Sequence, residues 1–177
     1  MDSSYSQLMQ SVMTATKSIF PDNKVIVANQ SENEPDGPYV AFSVIRDTQI
    51  GLSYHDTQLS SSNINITRAN YEVLIQFSFV SREMYVSGDM VKTFIQALSA
   101  PPTREIFRKN KLSRSSASPS RYVPSKREST WVHYHLVDVT FTYSVETRQS
   151  MIPIVTAEIT DDITGTVYTV PPDVVIP

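Results

Sequence analysis

The chain has no cysteine among its 177 residues, which excludes disulfides, thiolate metal sites and a cysteine nucleophile. Glycine is nearly as scarce, with four residues in all. That leaves little material for loops that cradle phosphate, and neither a GxGxxG nor a Walker loop occurs. The Gly-x-Ser-x-Gly elbow of serine hydrolases is missing, as is the His-Glu-x-x-His helix of zinc peptidases. Charged residues make up 19% and hydrophobic ones 40%, both below the usual share. Ser, Thr, Asn and Gln fill the gap, giving a neutral polar surface suited to packing against neighbours. No apolar run approaches the roughly 18 residues that span a bilayer. Met1-Asp2-Ser3-Ser4 carries neither the basic patch nor the apolar run of a secretory signal. The expectation is a protein assembled in a cytoplasm without membrane contact, not an enzyme, and without a cofactor or a bound metal.

What is present is unevenly charged. The net charge of −3 hides a basic stretch and an acidic one. Between residues 104 and 127 stand Arg104, Arg108, Lys109, Lys111, Arg114, Arg121, Lys126 and Arg127, against one acid, Glu105. From Gln149 onward there are Glu158, Asp161, Asp162 and Asp173 and no Lys or Arg. The basic residues are candidates for contact with phosphates or with an acidic neighbouring subunit. The absence of a recognition helix or zinc motif argues against sequence-specific DNA reading.

The length fits one domain with tails. Leu8, Val12, Ala15 and Ile19 recur at helical spacing, widened by Met9, Met13 and Phe20, so the pattern predicts a helix over 4–20 that Pro21 stops. Val25–Ala28 and 38–50 read as strands. Residues 51–68, poor in large apolar side chains, read as a surface loop or hairpin excursion. Tyr71, Val73, Ile75, Phe77 and Phe79 alternate with polar residues and predict a strand; Leu74 and Val80 break the polar face, so that side is expected to be partly covered as well. A second helix is expected to start at Ser87-Gly88-Asp89 and to carry Val91, Phe94, Ile95 and Leu98. Pro101-Pro102 ends it and can seed a short helical turn through Phe107. Residues 110–130 have almost nothing to bury and read as a flexible basic loop. Trp131, His133, His135, Val137, Val139, Phe141, Tyr143 and Val145 share one side of the longest expected strand. The Pro-broken segment 151–177 reads as an extended C-terminal arm, part of which could form a short hairpin. Its Val167, Val170, Val174 and Val175 are its candidate contacts. The fold expected is α+β, about four mainly antiparallel strands with two helices on one face. The domain is expected to occupy 1–150 and the arm 151–177.

Two imidazoles at His133 and His135 lie roughly 7 Å apart along a strand. They could hold a metal only if a third ligand arrived from a neighbouring strand. Two amphipathic rings packed beside Trp131 at a strand end account for them more simply. Asp161-Asp162, adjacent acids on an extended chain, point to different sides and suit a turn.

One passage carries a resemblance. After the first helix, the strand Val25-Ile26-Val27-Ala28 runs into Asn29-Gln30 and then Pro35-Asp36-Gly37-Pro38-Tyr39-Val40. This strand, Asn-Gln, Pro-x-Gly-Pro-Tyr-Val order, with the strands and helix that follow, resembles the neck and tail-terminator proteins of long-tailed bacteriophages. The resemblance reaches from the first helix to about Val145. It implies a virion protein assembled in the host bacterial cytoplasm and forming a homo-oligomeric, hexameric ring. The ring would close the tail tube, with tube and sheath proteins on one side and a neck or head-completion protein on the other. Around a DNA channel the basic loop would see a strong negative field. Its unusually basic 110–130 segment and its extension beyond 151 depart from the pattern. A head-completion or collar protein, or a non-specific nucleic-acid-binding module using residues 104–127, therefore stay open.

Overall fold

The computed structural model describes residues 4–28, 34–56, 64–127, 129–150, 157–160 and 167–170. Three helices and eight strands follow one another in the order α1 (Ser4–Ile19), β1 (Lys24–Val27), β2 (Tyr39–Asp56), β3 (Ile64–Ser81), α2 (Met84–Ala97), α3 (Pro101–Lys109), β4 (Leu112–Ala117), β5 (Arg121–Arg127), β6 (Thr130–Ser150), β7 (Ala157–Thr160) and β8 (Val167–Val170). They fall into two units: residues 1–53 with 69–145, and residues 54–68 with 146–177.

The first unit holds the core. Leu8, Val12 and Ala15 of α1 are buried as their spacing predicts. Ser11 and Thr16 lie on the same buried side; each hydroxyl donates to the carbonyl one turn earlier, Gln7 and Val12, so neither is left unpaired. Phe20, just past the helix, packs on Phe79 and Phe94 at centroid distances of 6.0 and 6.4 Å. Phe94 also meets Phe77 at 4.6 Å and Phe79 at 5.1 Å. The alternating face of β3 therefore does pack on the apolar stripe of α2. Tyr71, at the other end of that face, stacks on Tyr143 of β6 instead.

The sheet is larger than four strands and not purely antiparallel. Six strands form it, in the order β1-β2-β3-β6-β4, with β5 also paired to β6. β1 runs parallel to β2, Lys24 opposite Tyr39 through Val27 opposite Phe42, while β4 and β5 run antiparallel to β6. Side-chain bonds between β3 and β6 descend on one strand as they climb the other, from Asn70–Ser144 to Gln76–Asp138, which marks that pair as antiparallel too. Residues 110–130, expected as a flexible loop, hold β4 and β5. Their composition hid this because both strands are held to β6 by main-chain hydrogen bonds and bury little beyond Leu112.

All three helices contribute to the main buried cluster, against two expected. α2 begins at Met84 rather than near Ser87. Ser87 is no cap: it is buried in the first turn, and its hydroxyl donates to the Met84 carbonyl. Pro101-Pro102 opens α3 at its first positions, where the missing N–H costs nothing. Phe107 of α3 meets Phe141 edge-on at 5.2 Å. A smaller cluster, Tyr39, Ala41 and Val80 with Val132 and Tyr134, occupies the opposite face of the sheet.

The segment 51–68 continues β2 to Asp56 and begins β3 at Ile64, so the excursion is strand on both sides, with 57–63 outside the described residues. In the second unit β7 and β8 pair antiparallel, Ala157 opposite Val170 through Thr160 opposite Val167. This is the short hairpin the sequence allowed within 151–177. The remainder of that arm, including Asp161, Asp162, Val174 and Val175, lies outside the described residues.

Candidate interaction surfaces

The eight basic residues do not share one surface. Arg104, Arg108 and Lys109 ride on α3, Arg114 on β4, and Arg121, Lys126 and Arg127 on β5. Lys111 sits in the connection after α3, at a positive φ of 55°. Strand register then splits them. Arg114 stands opposite Phe141 and Lys126 opposite Trp131, on the helix side of β6. Arg121 and Arg127 stand opposite Leu136 and Thr130, on the other side.

Several of these charges are already matched. Glu105 accepts two bonds of 2.9 Å from Arg108 and lies 3.9 Å from Lys109. Those contacts, the Arg108 bond foremost, hold its carboxyl below the ordinary range. Arg121 reaches Asp138 at 2.9 Å, while Asp138 also accepts from Gln76. Arg127 pairs with Glu34 and sits over the Tyr134 ring, 5.7 Å from its centroid. Concentration in sequence thus overstates free positive charge in space.

The Arg127 corner is the most built of these places. Glu34 accepts from the Tyr39 hydroxyl as well as from Arg127. Burial, with Tyr134 close by, pushes the Tyr39 phenol up to about 12. The Tyr134 hydroxyl is itself buried with no hydrogen-bond partner among the described residues. Beside them lies a shallow hollow of about 250 Å³, lined by Glu34, Asp36, Arg82, Arg127 and Val132 among others. Its mixed charges and open form suit a contact with a protein surface more than an enclosed ligand.

His133 and His135 are engaged with protein partners. His133 Nδ1 is 2.7 Å from the Tyr122 hydroxyl, and the two rings stack. His135 Nδ1 lies 3.0 Å from Ser87 Oγ. Burial, then the charges of His133 and Lys92, push the His135 imidazole below its ordinary value. No cluster of three or more metal-ligating side chains occurs among the described residues. Around this end of β6 several large side chains are exposed: Trp131, Tyr122, Val123, Met84 and Tyr85.

Val167 and Val170 form the two ends of β8. The sequence did not point to the Glu34–Arg127 pair or to the bond from Tyr143 to Asp47. Each joins residues far apart in the chain, and only the strand order brings them together.

No helix among the described residues is long and apolar enough to cross a membrane. The profile of a family described as phage neck terminator protein matches residues 6–170. No curated protein matches the chain. One solved structure is similar over 84% of this chain and 94% of its own length, with 15% identity and a TM-score of 0.38, too loose a likeness to add to the argument.

Proposed function

The chain belongs to the phage neck terminator family, and from that premise we propose that its copies form a hexameric ring seated on the end of the tail tube. The protein is a structural component of the virion, terminating the tail at the neck. The observation that carries this is the extent of the match, residues 6–170 of 177, which takes in every element from α1 to β8. In the proposed ring the tube and sheath proteins lie on one side and a neck or head-completion protein on the other. The ring is assembled in the host cytoplasm.

Physical reasoning favours a ring. Sixfold repetition makes weak contacts cooperative, so an interface of ordinary size holds when each copy is clasped on both sides. Exposed Trp131, Tyr122, Met84 and Tyr85 are residue types enriched where proteins meet. We assign residues 1–150 to the body of the subunit and 151–177 to an arm that reaches a neighbour. Val167, Val170, Val174 and Val175 are its apolar contacts. The nucleic-acid alternative is weakened by geometry, since Arg108, Lys109, Arg121 and Arg127 each have a carboxylate partner within 4.0 Å.

Electron microscopy of particles tests the reading. Class averages should show a sixfold ring at the head–tail junction, labelled by antibody to this chain. A fivefold or twelvefold ring would reject the terminator station, and twelvefold would favour a connector nearer the portal.

A further inference from the structure

The two sheets differ in how their free edges are protected. A free edge is normally guarded by charge, proline, a bulge or short length, because unpaired N–H and C=O groups invite another strand. β5 carries Arg121, Pro124, Lys126 and Arg127. β4 carries Arg114 and a register irregularity beside it. On the side that β4 covers as far as Tyr143, β6 goes on to carry Glu146 and Arg148, and β7 carries Glu158. β1 is only four residues long.

Two edges lack such protection. β1 pairs with β2 only as far as Phe42, and Ala28 adds one more bond to the Phe42 carbonyl. From Ser43 to Ile50 that side of β2 meets no strand among the described residues. All residues from Ile45 to Leu52 are exposed, Leu52 at 95%. The charges present are tied inward to their own sheet, Arg46 to Glu72 at 3.0 Å and Asp47 to the Tyr143 hydroxyl at 2.7 Å. Gly51 follows, at a positive φ of 69°. The second bare edge is β8, Val-Tyr-Thr-Val, with no charged residue. Among the described residues it pairs only with β7, and an isolated two-stranded hairpin is marginal in water.

Each edge lacks what the other offers. We infer that β8 of one copy adds as a further strand to the Ser43–Ile50 edge of β2 in the next copy. The joint would be β-strand addition, with affinity from main-chain bonds and side-chain contacts at Ile45 and Ile50. β8 needs four residues of edge, and eight are open. Because β8 and β2 are different surfaces, the contact is head-to-tail and closes into a ring when the rotation fits. This rests on the ring reading above, naming the surface that joins its copies.

The native absence of cysteine makes the test clean. Chains with cysteine placed in turn at each position from Ser43 to Ile50 are mixed, at full length, with a Thr169→Cys chain of distinguishable mass and oxidised. All eight positions are scanned because only one register places the sulfurs in bonding range. The expected result is a disulfide between unlike chains confined to one register. A chain carrying both substitutions should then give a ladder of linked chains. Ile50→Lys should lower the oligomer fraction at least tenfold with an unchanged far-ultraviolet circular dichroism spectrum. Disulfides between like Ile50→Cys chains only would mean edge-to-edge pairing of β2 and would overturn the inference. A bond only within one doubly substituted chain would overturn it too. Sixfold rings seen without any β2–β8 disulfide would overturn the inference and leave the ring standing. Disulfide-linked open filaments would support the strand addition while rejecting the hexamer.

Discussion

Phe94 is the side chain on which the helix-covered unit most depends. It touches three other rings, Phe20, Phe77 and Phe79, and is 1% exposed. Truncating such a ring leaves a cavity that its neighbours only partly fill, so Phe94→Ala or Phe77→Ala should cost about 3–5 kcal/mol. Leu52→Ala, at a residue 95% exposed, should stay within about 0.5 kcal/mol. Urea unfolding of the three variants checks the ranking, and a fully stable Phe77→Ala would show that β3 and α2 do not share this core. His135 adds a pH signature. Its folded pKa lies below the ordinary 6.5, so the unfolded chain takes up the proton first as pH falls. Stability should therefore decline from about pH 6.5 down to the folded value, and level off below it. Glu146 acts lower: bonds from Arg148 and Arg68 hold it under the ordinary 4.5, so its contribution is lost only as pH falls below that. A His135→Gln variant should flatten the first decline and leave the second, read as melting temperature against pH.

At the scale of elements, burial separates β4 and β5 from the rest of the sheet. Apart from Leu112 they are exposed or half-buried, while Val137, Val139 and Phe141 of β6 are fully buried. Amides of β5 should exchange with solvent faster than those of β3 and of β6 from Val137 to Phe141. Equal protection across the sheet would show that β5 opens only with the whole unit. The same contrast explains what was legible in the sequence. α1, β3 and β6 bury one face each, and burial writes a period of apolar residues that can be read directly. β4 and β5 are held by backbone bonds, which leave no such period, so Ser and Arg there read as loop. Pro101-Pro102 was ambiguous for a different reason: proline both ends helices and fits their first turn, and here it begins α3. The order of strands, which sets Glu34 beside Arg127, has no local signature at all.

At the scale of the molecule, the functional assignment came from the passage Val25–Val40 and its context, and the match over residues 6–170 bears it out. Contact residues stayed hidden, because a surface made to meet other proteins is chosen by their shape, and the chain alone does not carry that information. The division of labour between body and arm is testable. A chain ending at Ser150 should keep the melting temperature of the helix-covered unit, whose residues stop at Val145. It should fail to complete particles. Infectious yield from a complementation assay measures this, and normal yield would make residues 151–177 dispensable.

The chain has one tryptophan, Trp131, and it is 53% exposed at the start of β6. The core is built from phenylalanines, which hardly emit. Intrinsic fluorescence of the free subunit should therefore peak at the long wavelength of a hydrated indole and shift little on unfolding. Covering that corner would strip water from the ring, so emission should move to the blue and escape quenching by acrylamide. A neighbour seated at that corner would thus be reported by this one ring, which stays nearly blind to the collapse of the core.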